Sequence, residues 1–296
     1  MQGKDLEGVI PAIVTPFTEN GELDREGLKR LTRFLLDNGV HGIMTTGGNG
    51  EFPHLLREEK RIVTETVVKE VKGAVPVVAG TAACGTRETK LLSDDAKDVG
   101  ADAVIVTPPY YYMLPEESLY RHFRILAEGI DLPIVIYNNP LYTGHNLSPG
   151  LIDKLADISG VIGLKQSNPD FGQLVECMRK SGTKISICTG IDSQFYPSLC
   201  AGARGIFSTA ACVIPEHMVQ LFNLAQSGNH KDALKLHMKI QELHSLLEYD
   251  PGHVSPCKEA LSMLGLPGGP VREPLPELNL MERDALESAL RALDLL

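Results

Sequence analysis

Eight β-rich runs, each followed by a turn and an amphipathic helical stretch, predict a closed (β/α)8 TIM barrel with a C-terminal helical extension. Three observations carry that reading. The runs are continuously apolar, the pattern of parallel strands buried on both faces. The eight units fit within about 225 residues, the size of one barrel. An open doubly wound sheet would lead one to expect a nucleotide fingerprint, yet neither G-x-G-x-x-G nor G-x-x-x-x-G-K-[ST] is present.

The runs fall at 8–17, 41–46, 75–81, 102–109, 133–139, 161–166, 185–190 and 204–210. Between them the helices carry ordinary signals. Asp24 stands at the start of "LDREGLKRLTRFLLDNG", where Leu28, Leu31 and Leu35 share a face and Asn38-Gly39 ends the helix. Ser148 is set to cap a helix with Pro149 in its first position. After Pro215 the β signal disappears, and helices are expected at 216–227, 230–247, 255–264 and 281–293. The barrel is therefore assigned to residues 1–225 and a helical extension packed on it to 226–296.

Composition narrows the function classes. Of 296 residues, 43% are hydrophobic and 22% charged, ordinary for a globular protein with a sizeable core. The net charge of −10, with no basic run, excludes a nucleic-acid surface. No stretch is apolar enough to span a membrane and the N-terminus shows no apolar export segment, so a cytoplasmic protein is expected. The six cysteines form no C-x-x-C pair and are expected as reduced core residues, Cys177 to Cys212 among them. His230, His237 and His244 recur every seven residues, roughly 10 Å apart on a helix. That is too far to share one ion, so a polar helix stripe is expected and no metal site. His41 and His145 are expected as hydrogen-bonded structural residues.

In a (β/α)8 barrel the chemistry sits at the C-terminal ends of the strands. The sixth run, "VIGLKQ", ends on Lys165 and the fifth, "PIVIYNN", on Tyr137, so the two are expected to point into one pocket. Most lysines at such a place simply reach for water. In a barrel mouth, however, burial disfavours the ammonium and leaves an amine able to attack a ketone as a Schiff base, with Tyr137 moving protons. The loop "TTGGNGEF" after the second strand supplies three glycines before a helix expected from about Leu56. Its exposed N–H groups would favour an anion, phosphate or carboxylate.

Taken together, "GGNGEF", "TPPYYY", "VIYNNP", "GLK" and "TGID", in this order and spacing, resemble the dihydrodipicolinate synthase / N-acetylneuraminate lyase family over nearly the whole chain. These are class I, pyruvate-handling aldolases. The resemblance implies that Lys165 is the Schiff-base lysine and Tyr137 the proton-shuttling tyrosine. It implies that the backbone of Gly48 and Asn49 holds the pyruvate carboxylate, and that Gly190 and Phe207 line the pocket. It further implies that Tyr111 reaches across a dimer interface in a homotetramer built as a dimer of dimers, and that no cofactor is needed beyond the covalent imine. Tyr110 and Tyr112 are read as interface residues.

Three positions depart from the synthase branch: Gly48 replaces a hydroxyl residue, Tyr142 an arginine, and Cys84 a polar amide. Asn49 keeps an amide able to bond a carboxylate, and Asn139, Tyr142, Thr143 and Gln166 are expected on the rim. These departures favour reversible cleavage of a 4-hydroxy-2-oxo acid or a 2-keto-3-deoxy sugar acid to pyruvate and an aldehyde. The alternatives are condensation of pyruvate with aspartate semialdehyde by a 4-hydroxy-tetrahydrodipicolinate (dihydrodipicolinate) synthase, a dehydratase using the same imine, or a 2-oxo-acid-binding barrel of low turnover. A metal-dependent aldolase would need a cluster of histidines and carboxylates at the strand ends, and none is visible.

Overall fold

A computed structural model describes residues 6–248 and 253–296. The first five residues of the predicted barrel and residues 249–252 of the predicted extension lie outside the described residues. Eight parallel strands, β1 (Gly8–Pro11), β2 (Ile43–Thr45), β3 (Val77–Gly80), β4 (Ala103–Val106), β5 (Ile134–Asn138), β6 (Val161–Gln166), β7 (Ser186–Thr189) and β8 (Gly205–Ser208), run in the order β1-β8-β7-β6-β5-β4-β3-β2. A parallel bridge from Ala12 to Met44 brings β1 beside β2 and closes the barrel. Seven of the strands are shorter than their apolar runs, and β6 matches its run at both ends.

The helices are α1 (Arg25–Asp37), α2 (Arg57–Val71), α3 (Thr86–Asp98), α4 (Glu116–Gly129), the single turn α5 (Pro140–Thr143), α6 (Pro149–Ala156), α7 (Phe171–Ser181), α8 (Phe195–Cys200), α9 (Pro215–Gln226), α10 (His230–Leu247), α11 (Val254–Met263) and α12 (Leu280–Ala292). Their ends follow the expected local chemistry. The Asp24 carboxylate accepts from the Gly27 N–H at 2.8 Å, and Ser148 Oγ accepts from the Leu151 N–H at 3.1 Å. Leu28, Leu31 and Leu35 of α1 are all buried, each contributing roughly 1.5–3 kcal/mol of hydrophobic stabilisation.

The alternation of side chains along each strand divides the interior in two. Val135 of β5 faces a small core inside the barrel with Ile10, Met44, Ile105, Cys188 and Phe207. Ile134 and Ile136 face outward into the layer beneath the helices. On the other side, Val9, Leu31 and Val63 share one apolar cluster with Ile240 and Leu243 of α10, Leu261 of α11 and Leu290 of α12. The C-terminal helices are thus continuous with the barrel's own packing.

Two expectations need correction here. The histidine stripe of α10 is no solvated face: His237 and His244 are buried, and burial pushes both imidazoles down to about 4. This face of the helix packs toward Tyr196 of α8, whose ring centroid lies 5.6 Å from that of His237. Of the cysteines, Cys177, Cys188, Cys212 and Cys257 are in the core, but Cys84 and Cys200 are exposed, because they fall in the turn before α3 and at the end of short α8. The other two histidines do as expected. His41 Nδ1 accepts from the Val9 N–H at 3.1 Å, and His145 Nε2 lies 3.0 Å from the Tyr112 carbonyl.

Candidate active site

β5 and β6 pair in a register that sets Tyr137 directly beside Lys165. With a side-chain period of two, neighbours in register share a face, so both side chains enter the barrel at its C-terminal end. Lys165 is 5% exposed. Its Nζ stands 4.2 Å from the Tyr137 ring centroid, 5.7 Å from that of Phe207 and 4.0 Å from Met44 Sδ. Among the described residues no carboxylate lies within ion-pair distance of it.

Lys165 keeps this course because Gly190 has no side chain. A Cβ there would stand 2.7 Å from Lys165 Cε and would overlap Ser167 Oγ. Tyr137 Oη accepts from Asn139 Nδ2 at 3.0 Å. Burial alone would raise the phenol, but the adjacent Lys165 and hydrogen bonds from Asn139, Ser167 and Lys165 outweigh it, so Tyr137 ionises below the usual tyrosine range. Behind them, Asp192 accepts from Ser208 Oγ and from the N–H groups of Thr209 and Ala210, which locks the ends of β7 and β8 together.

The glycine loop forms the second wall. Gly47 and Gly48 lend their carbonyls to the N–H groups of Phe52 and Glu51. The N–H groups of Gly48 and Asn49 make no hydrogen bond to any described residue. Two non-glycine residues flanking the loop, Thr46 (φ 49°) and Glu51 (φ 57°), adopt left-handed backbone, at a cost of about 1–3 kcal/mol each. Buried bonds hold both. Thr46 Oγ1 donates to the Gly80 carbonyl at 2.9 Å, and Glu51 pairs with Lys258 at 2.6 Å and accepts from the Arg272 N–H at 2.9 Å. Burial of Lys258 lowers its ammonium to about 8 even with Glu51 pulling the other way.

Three sequence expectations are corrected at this loop and rim. The Asn49 side chain points away from the pocket, its Nδ2 donating to the Ala12 carbonyl at 2.6 Å, so only its backbone faces a ligand. A 3-10 turn, Phe52–His54, separates the loop from α2, and Glu59 Oε2, accepting from the Leu56 N–H at 2.8 Å, already sets a carboxylate at the start of that helix. The helix terminus therefore contributes little to an anion at Gly48. Gln166, next to Lys165 on β6, necessarily faces the other side, where its Oε1 accepts from Asn138 Nδ2 at 3.0 Å.

Between these walls lies a cavity of about 290 Å³. Gly48, Tyr137, Asn139, Tyr142 and Thr143 line it, as the sequence placed them. Gly190 and Phe207, expected to line the pocket, are not among its lining residues, and nor is Lys165, whose Nζ lies against the Tyr137 and Phe207 rings. Tyr111 stands apart from its own chain's cavity, 84% exposed and with φ 85°.

Sequence reasoning missed several lining residues, Glu51, Phe52, His54, Thr107 and His253 among them, and Tyr110, read as an interface residue, lines the cavity instead. Thr107, in "TPPYYY", carries a buried hydroxyl with no hydrogen-bond partner among the described residues, and its place at the end of β4 was a usable signal. His253, from the head of α11, bonds Tyr142 across 111 residues of sequence (Oη to Nδ1, 3.2 Å). No local pattern announces a contact of that kind.

Geometry of this kind has close counterparts. The profile of the Dihydrodipicolinate synthetase family matches residues 5–293. The 4-hydroxy-tetrahydrodipicolinate synthase of Methanocaldococcus jannaschii is 39% identical over 292 residues, covering 98% of this chain and 100% of that one. That of Methanopyrus kandleri is 38% identical over 296 residues, covering 99% and 98%. Among solved structures, a dihydrodipicolinate synthase superposes with a TM-score of 0.93 at 39% identity, over 98% of this chain and 100% of the other. A prophage protein of that family from E. coli K12, in complex with pyruvate, gives 0.94 at 30% identity, over 98% and 99%. The chain belongs to the dihydrodipicolinate synthetase family and is an enzyme of the class I, pyruvate-dependent aldolase and lyase type.

Proposed function

We propose that this protein condenses pyruvate with aspartate semialdehyde, as a 4-hydroxy-tetrahydrodipicolinate synthase, through an imine on Lys165. The observation that carries the chemistry is the register pair Tyr137–Lys165 beside the N–H groups of Gly48 and Asn49, which meet no partner among the described residues. The pyruvate carboxylate takes those two N–H groups, which presents its C2 carbonyl to the Lys165 amine. Attack and loss of water give an iminium, and departure of a C3 proton gives the enamine. The enamine carbon then attacks the aldehyde carbonyl while Tyr137 gives a proton to the oxygen that becomes a hydroxyl. Release follows attack on the imine by water or by the acceptor's own amine. No cofactor is needed, because the iminium is itself the electron sink.

The synthase reading now stands ahead of the sugar-acid lyase favoured by the sequence departures. Its support is the shared name of relatives 38–39% identical across nearly the full chain. Residues 48 and 142 both line the cavity, so departures from the synthase branch there bear on how the acceptor is held. We also assign Tyr111 to the site of a neighbouring copy, within the homotetramer that the family resemblance implies. Its exposure and left-handed backbone support that assignment.

The test is intact-mass measurement after pyruvate and borohydride, on the native protein and on Lys165→Ala, followed by aspartate semialdehyde turnover. A single pyruvyl adduct that vanishes in the variant, with turnover in the native protein, is expected. No adduct removes the imine mechanism. An adduct with turnover only of neutral hydroxyaldehydes returns the reading to the sugar-acid branch.

A further inference from the structure

Lys165 enters the barrel because β6 is irregular. Ile134 of β5 pairs with Val161, but the next residue, Val135, pairs with Gly163, so β6 carries one extra residue, Ile162. The packing shows the same break. Val161 and Leu164 lie in the outer layer beneath the helices, whereas Ile162, between them, packs against the core inside the barrel. Gly163 makes room for the bulge, since a Cβ there would stand 2.6 Å from Leu6 Cδ2. In an unbroken strand Val161 and Lys165 would share a face, and the amine would be turned outward under the helices.

What holds the shifted register lies on the opposite face. Asn138 and Gln166, the residues after Tyr137 and Lys165, are also in register, and Asn138 Nδ2 donates to Gln166 Oε1 at 3.0 Å. That bond is one edge of an amide cluster. Asn138 Nδ2 also donates to Asn146 Oδ1 at 3.2 Å, and Asn138 Oδ1 accepts from the Leu147 N–H at 3.0 Å. Asn146 Oδ1 accepts from Asn168 Nδ2 at 3.1 Å and from Gln173 Nε2 at 2.9 Å. Gln173 Oε1 accepts from Asn168 Nδ2 at 2.7 Å and from Asn146 Nδ2 at 3.0 Å. Asn138, Gln166, Asn168 and Gln173 are all buried, and none of the five side chains is among those lining the cavity. If β6 lost its bulge, Asn138 would stand opposite Lys165 and Gln166 would turn inward, away from the cluster. Amides buried without partners are costly, so the cluster penalises that slip.

We propose that the amide cluster of Asn138, Asn146, Gln166, Asn168 and Gln173 is a positioning device for the reaction, locking β6 in the bulged register that presents Lys165 to Tyr137 and to pyruvate. The inference rests on the Lys165 imine reading. The five side chains touch no substrate and act through the strands, by fixing where the amine stands. Misplacing a reacting group by about 1 Å costs on the order of 100-fold in rate. The carboxylate of pyruvate is held elsewhere, at the glycine loop, so rate and binding should separate.

The experiment compares native protein, Gln166→Met, Gln166→Glu and Gln173→Met. Imine formation is followed by timed quenching with borohydride over a range of pyruvate concentrations, with adduct counted by intact mass, and each protein is melted thermally. Gln166→Met keeps the length of the side chain and removes the acceptor. Its maximum rate of imine formation is expected to fall about tenfold or more, with half-saturating pyruvate changed less than about twofold. Gln166→Glu keeps an acceptor for Asn138 and forfeits no bond, because Gln166 Nε2 has no partner among the described residues, so it should recover part of the rate. Gln173→Met, which cuts the cluster at α7, should show a smaller loss of the same kind. A cluster that only stabilised the fold would lower the melting temperature and leave the rate per folded protein untouched. Native rates in Gln166→Met, or in Gln173→Met should the former not fold, overturn the inference and leave the imine reading standing. Equal losses in Gln166→Glu and Gln166→Met overturn it as well. Absence of any adduct in the native protein overturns both.

Discussion

At the scale of single residues, the site depends on what Gly190 lacks as much as on what Lys165 supplies. A methyl at 190 would meet the flexible Ser167 hydroxyl, which can rotate away, and the Lys165 stem at 2.7 Å, which cannot move without displacing its amine. Gly190→Ala is therefore expected to fold normally yet lose about 100-fold or more in kcat, the usual result of misplacing a reacting group by about 1 Å. Circular dichroism and steady-state kinetics on the purified variant check both halves. Native-like kinetics would show that the lysine has another route to the pocket. Tyr137 is a different case, since its phenol is held by Asn139 and faces Lys165, so the role proposed for it rests on proton transfer rather than on space.

At the scale of elements, the C-terminal helices do more than cover one flank of the barrel. Lys258 of α11 pairs with Glu51, and Arg272, in the connector before α12, reaches both Glu51 and Glu59. Both cations also lie against the Phe17 ring, at 4.2 and 4.1 Å from its centroid. The extension thus braces the left-handed Glu51 and, through it, the loop bearing the Gly48 and Asn49 amides. Removing one partner of a buried ion pair strands the other, at about 3–5 kcal/mol. Lys258→Met should lower stability by about that amount and weaken pyruvate trapping, whereas Lys258→Met with Glu51→Gln should recover much of the stability. Denaturant melts of the native protein, the two single variants and the double variant give the coupling, and additive losses would mean that the pair is no brace.

At the scale of the whole molecule, the surface beside the active site is unusual. Tyr111, Tyr112 and Met113 are 84, 72 and 73% exposed, and the Tyr111 and Tyr112 rings stack edge-on at 5.0 Å. Leu141 of α5 is exposed as well, next in sequence to Tyr142 of the cavity wall. Contiguous exposed apolar groups commonly mark an interface, and a left-handed tyrosine persists only when its surroundings hold it there. Sedimentation velocity at micromolar concentration is expected to show a multimer, and Tyr111→Arg to shift it toward monomer with loss of turnover. A fully active monomer would return Tyr111 to the status of a surface residue.

Much of this protein is legible in its sequence, for a physical reason. A parallel barrel buries both faces of each strand and places each helix between consecutive strands, so apolar runs and caps such as Asp24 and Ser148 report the architecture directly. The same regularity is enough to place Lys165 and Tyr137 at the ends of adjacent strands. What depends on side-chain direction or on distant parts of the chain was decided only by the tertiary structure. Asn49 turns inward because the Ala12 carbonyl lies behind it, and α10 buries its histidines because α8 packs on that face. The Glu51–Lys258 pair and the Tyr142–His253 contact join segments more than 100 residues apart. Local propensity and periodicity determined the scaffold and the placing of Lys165 beside Tyr137. The outer end of the pocket was settled by long-range packing, which no window of sequence encodes.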